Sequence, residues 1–114
     1  MENQSKSLVN PFEALDYINS HAEILGHSKA TVLYLTEYRK TIKATLMVES
    51  DLKTESAKES FAYSHSVYKE HLKALREAVA EFEALRWKMI HAEATIEVWR
   101  SLESTARAEG RATQ

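Results

Sequence analysis

The sequence predicts an all-α protein with three main helices, the last of them long and set in a helical hairpin or coiled-coil-like arrangement. Three observations carry that expectation. The 114-residue chain holds two Gly and one Pro, too little punctuation for the many turns of an all-β fold. From Ser66 to Ala108 neither residue interrupts, which gives roughly 43 residues or about 64 Å of helix at 1.5 Å per residue. Within that stretch Tyr68, Leu75, Phe82, Met89 and Ile96 recur every seventh position, the spacing of a helix packed along one seam. The length suits one modest core, so a single helical domain is expected over residues 10–108.

Residues 1–9 are polar and aperiodic and read as a disordered arm. "NPFE" then opens the first helix: Asn10 can cap, Pro11 suits the first helical position, and Glu13 stands where a capping box wants an acid. Phe12, Leu15, Ile18 and Ile24 give it a face, and Gly26 is expected to end it at Leu25 as a left-handed cap. Ser28 can cap a second helix, whose Val32, Leu35, Tyr38, Ile42 and Leu46 keep amphipathic spacing to about Glu49. "ESDLKTESAKES" lacks a stripe and is expected as a loop holding a short helical turn around Ser56 to Ala62. Ser64 or Ser66 offers the cap of the third helix, which runs to about Ala108, and residues 109–114 read as a disordered tail.

The third helix has more apolar surface than one partner can cover. Beside the seam, Leu72 and Val79 begin a second row whose phase then turns polar at Arg86, Glu93 and Arg100. Leu85, Ala92 and Trp99 replace it on the other flank, so the stripe is expected to rotate along the helix. Trp87, Ala94 and Val98, with Ile90 and His91 close by, form a further patch nearly opposite Met89. Helices of about 22 and 33 Å cannot sheath one of 64 Å. The expectation is therefore a homodimer or higher homo-oligomer through Phe82, Leu85, Arg86, Met89, Ala92, Glu93, Ile96 and Trp99, with Arg86 opposite Glu93 in an antiparallel pair. The alternative is that both tryptophans are core residues against a folded-back first helix.

Motifs for chemistry are absent. No cysteine is present, which excludes disulfides, thiolate zinc sites and cysteine nucleophiles. Five histidines show neither H-E-x-x-H nor Glu-x-x-His spacing and read as surface or capping residues. Glu77/Glu81 and Glu93/Glu97 pair at i, i+4 with no nucleophile or activating histidine beside them, and read as a solvated face. No G-x-S-x-G and no phosphate loop occurs. The expectation is no enzyme, no metal and no cofactor. With 15 Lys and Arg against 17 Asp and Glu, a strongly electrostatic nucleic-acid binder is disfavoured. Arg39, Lys40 and Lys43, and separately Lys69, Lys73 and Arg76, are candidate contacts for weak phosphate binding, diluted by Glu37, Glu70 and Glu77. No apolar run suits a signal peptide or a membrane span, so a cytoplasmic protein without membrane contact is expected.

One stretch carries a resemblance. Residues 62–105 contain "AY-x-H-x-x-Y" (Ala62, Tyr63, His65, Tyr68), "LRW" (Leu85 to Trp87) and "IEVWRS-x-E" (Ile96 to Ser101, Glu103). In these the sequence resembles a group of small helical proteins of tailed bacteriophages and prophages, of the kind encoded near replication and recombination genes. Ser66 stands where that group carries a proline, which blurs the helix start. The resemblance implies a bacterial host cytoplasm and a non-enzymatic accessory role in DNA replication or recombination. The partner it implies is a phage replication or recombination protein, with weak single-stranded DNA contact. The alternative is an inhibitor of a host defence nuclease, of anti-restriction or anti-CRISPR type.

Overall fold

The computed structural model describes residues 9–112, and all of its regular structure is helical. Helix α1 spans Pro11–Glu49, α2 spans Glu55–Ser64 and α3 spans Ser66–Ala112. Three helices are found as expected, but they are divided differently. The two helices expected on either side of Gly26 are one, and the short turn expected near Ser56 is a full helix. Helix α3 continues through Gly110 to Ala112, so the expected tail is helical as far as it is described. Residues 1–8 of the expected arm and 113–114 of the tail lie outside the described residues.

Helix α1 starts as its sequence dictates. The Asn10 side-chain oxygen accepts from the Phe12 and Glu13 amides at 3.0 and 3.2 Å, and Pro11 has no amide to leave unmet. The helix then passes Gly26, which has no positive φ and open space where a Cβ would stand. The reason is packing. Ala14, Ile18, His21, Leu25, Ser28, Val32, Leu35, Arg39, Ile42 and Leu46 alternate in steps of four and three, and each is buried or partly buried. That register crosses Gly26 without a slip, so Ser28 is a seam residue and not a cap. A glycine inside a helix costs about 1 kcal/mol, less than burying one leucine or valine returns, at about 1.5–3 kcal/mol. Burial on the seam outweighs the local signal to stop.

The turn after α1 closes through Ser50, whose amide and hydroxyl both reach the Met47 carbonyl. Thr54 caps α2 by accepting from the Ala57 amide at 3.1 Å. One residue, His65, joins α2 to α3. Its amide donates to the Ala62 carbonyl, and its Nδ1 accepts from the Val67 amide at 3.1 Å. The cap of α3 is therefore His65, where Ser64 or Ser66 was expected.

The chain forms two compact units, residues 26–83 and the remainder. In the 26–83 unit, Leu46, Ala62 and Tyr68 form a buried cluster with Ile42 and Met47 packed against it. Tyr63 meets Tyr68 edge-on at 5.2 Å between ring centroids. Further along, the buried His71 donates from Nε2 to the Leu35 carbonyl at 2.7 Å. Because Leu46 pairs with Tyr68 and the earlier Leu35 with the later His71, α1 and α3 run antiparallel there, as a hairpin. In the other unit Ala14, Met89 and Ala92 are buried. The two alanines permit close helix approach.

Two expectations about α3 change. Of the row three residues after each seam position, His71, Ala78, Leu85 and Ala92 are buried or partly buried, while Trp99 at its end is exposed, as are Leu72 and Val79. The stripe does not rotate, because the histidine holds the first place in that row through its hydrogen bond to α1. The shortage of covering helix narrows but does not vanish, since every described residue of α3 from Glu97 to Ala112 is exposed. As one helix of 39 residues, α1 spans about 58 Å, close to the roughly 70 Å of the 47-residue α3.

Candidate functional site

The residues expected to join two chains lie mostly on the side of α3 that packs within its own chain. Met89 is 9% exposed and Ala92 4%, while Phe82, Leu85, Arg86 and Ile96 are partly buried. Only Glu93 and Trp99 of that set are exposed. Arg86 holds its guanidinium 5.0 Å from the Trp87 ring, a cation–π contact within one helix.

What α3 leaves facing out in this unit is a second stripe. Trp87 is 60% exposed and Val98 48%, and Ala84, His91 and Ala94 are exposed beside them. At about 100° per residue Trp87 lies roughly 160° from Met89 and Val98 roughly 180°, so this stripe backs the packed one. The five positions 84, 87, 91, 94 and 98 advance by three, four, three and four, which keeps them within about 80° of arc. None is Asp, Glu, Lys or Arg, in a chain with 28% charged residues. A helix face that needed only solubility would not be built this way.

The basic candidates do not converge. Arg39 is partly buried on the α1 seam, Lys40 pairs with Glu37 at 3.2 Å, and Lys73 pairs with Glu70 at 3.3 Å. Lys43 turns to Glu59 at 3.5 Å and lies 4.9 Å from the Tyr63 ring centroid. The Tyr63 phenol above all holds the Lys43 ammonium above its ordinary pKa, against the opposing effect of burial, and the Glu59 carboxylate adds to it. Lys69 and Arg76 remain exposed on α3.

A cavity of about 230 Å³ in the same unit as Trp87 is lined by Glu13, Ala14, Tyr17, Lys88, His91 and Thr95, among others. The Tyr17 hydroxyl is buried without a hydrogen-bond partner. Its oxygen is closed to solvent and so does not open on the cavity, whose polar walls are exposed Glu13, Lys88 and His91. Tyr17 stacks on His21 at 3.9 Å, and His21 Nδ1 lies 3.0 Å from the Tyr17 carbonyl. Of the histidines expected at the surface or as caps, His65 caps and His71 is buried. Among the described residues no group of three or more His, Asp or Glu is placed to hold a metal ion. No described helix is long and apolar enough to cross a membrane.

Comparison with protein-family models, with curated proteins and with solved structures finds no match to this chain. The reading of the site therefore rests on its own geometry. Sequence reasoning found the Trp87, Ala94 and Val98 patch and placed assembly on the Met89 side, most of whose residues pack within the chain. His71 was missed since a lone polar residue breaks an apolar pattern; the carbonyl that satisfies it is 36 residues away.

Proposed function

We propose that this protein is a non-enzymatic helical interaction module that docks a protein helix on the outward face of α3. The observation that carries the reading is the uncharged stripe through Trp87, Ala94 and Val98, exposed on the side away from the packed seam. A tryptophan standing 60% in water is costly to a chain that merely folds and useful to one that binds, since tryptophan is enriched among residues that dominate interfaces. The stripe repeats every three to four residues, which fits a helix as ligand. Setting this module in phage DNA replication or recombination belongs to the proposal and rests on the resemblance at residues 62–105 alone.

The test is a photo-reactive amino acid placed at position 87 of the full chain in the cells that make it, with the same residue at Lys73 as control. Crosslinked adducts should form at position 87 and not at the outward, ion-paired Lys73. No adduct at position 87 above the control would overturn the reading.

A further inference from the structure

We infer that the helix docked on this face is α3 of a second copy of the same chain, lying antiparallel about a two-fold axis near Ile90 and His91. The inference rests on the interaction-module reading and adds its partner. It comes from the sizes of the residues along the stripe. Trp87 and Ala94 are the largest and among the smallest side chains on it, and they stand one heptad apart, both exposed. A two-fold axis midway between them sets each tryptophan over the partner's alanine, twice and reciprocally. The same operation carries Val98 to within one residue of the partner's Ala84, again large against small. His91 meets its own copy near the axis, where a polar and uncharged ring is tolerated. A parallel pairing in register would instead set tryptophan against tryptophan and leave the alanines facing a gap.

The stripe spans about 21 Å of helix from Ala84 to Val98. A contact of that length falls at the small end of specific interfaces. The expected dissociation constant is accordingly weak, in the ~10–100 μM range.

Sedimentation velocity of the full chain from ~10 μM to ~1 mM tests this, with far-UV circular dichroism as the fold control. The wild type should pass from monomer to dimer across that range. Trp87→Glu, at an exposed position, should keep its helix content and weaken association about thirtyfold or more. Ala94→Trp should weaken association by setting two tryptophans face to face. Combining it with Trp87→Ala restores large against small and should recover the dimer, which neither a parallel pair nor a different partner would require. A wild type that stays monomeric at ~1 mM, or a dimer that the Trp87→Glu change leaves intact, overturns the inference. In the crosslinking experiment, adducts of twice the chain mass agree with a second copy. Adducts of another mass alone remove the second copy while leaving the module reading in place.

Discussion

Gly26 shows how far a residue's local preference can be overridden. It lies in right-handed helix, is exposed, and has nothing within 4 Å of where a Cβ would stand. Nothing in the fold uses its freedom, so Gly26→Ala should raise stability by about 0.5–1 kcal/mol, read as a higher urea midpoint with unchanged slope. A loss of stability would mean that the helix does not run through this position. Lys43 makes a different prediction. Tyr63 and Glu59 raise its pKa above the ordinary 10.5, so the charged lysine is favoured more in the folded chain than in the unfolded one. Its contribution is fully present below pH 10.5 and fades as the pH rises through the folded value. The gap in urea midpoint between wild type and Lys43→Met should therefore be constant from pH 7 to 9 and narrow above about 10.5. The side chain is only partly buried, so that gap will be small. A gap that widens with pH would show that the lysine is not held by these neighbours.

At the scale of elements the joint between α2 and α3 is the sharpest feature, since a single residue serves both helix ends. The His65 ring nitrogen takes the place of a capping oxygen at the start of α3. His65→Ala should cost about 1 kcal/mol, and His65→Asn, which keeps an acceptor bonded to Cγ as the histidine Nδ1 is, should recover most of it. Equal losses in the two variants, measured by thermal unfolding, would assign the histidine to packing against Phe61, whose ring lies 5.5 Å away. The elements differed in how far the sequence disclosed them. Asn10 and Pro11 disclosed the start of α1, and the repeat from Tyr68 to Ile96 disclosed the length of α3 and its packed side. The fusion of two expected helices into α1 was legible in principle, because the four-three register from Ala14 to Leu46 is unbroken. It is obscured by His21, Ser28 and Arg39, polar residues at seam positions that do not register as a stripe. The second face of α3 was legible in its spacing, but whether it packed inside the chain depended on the length of α1, and so on Gly26.

For the whole molecule the question is how much apolar surface folding removes from water. None of the described large side chains is fully buried. Apolar residues such as Leu33, Tyr34, Val48, Phe12 and Leu102 stay exposed. A chain that leaves this much apolar surface in water gains little from burial, so a second copy would contribute a sizeable part of the net stability. Stability then depends on chain concentration, because a partner that binds only the folded chain shifts the equilibrium by mass action. Raising the wild type from ~1 μM to ~1 mM, across the expected dissociation constant, should lift the thermal midpoint by a few degrees. Trp87→Glu should remove most of that dependence while leaving the midpoint at ~1 μM nearly unchanged, since the side chain it replaces already faces water in the lone chain. The two effects separate assembly from folding. A variant that melts lower at every concentration would place Trp87 in the fold of one chain, and a wild type whose midpoint ignores concentration would leave no role for a second copy in holding the hairpin together.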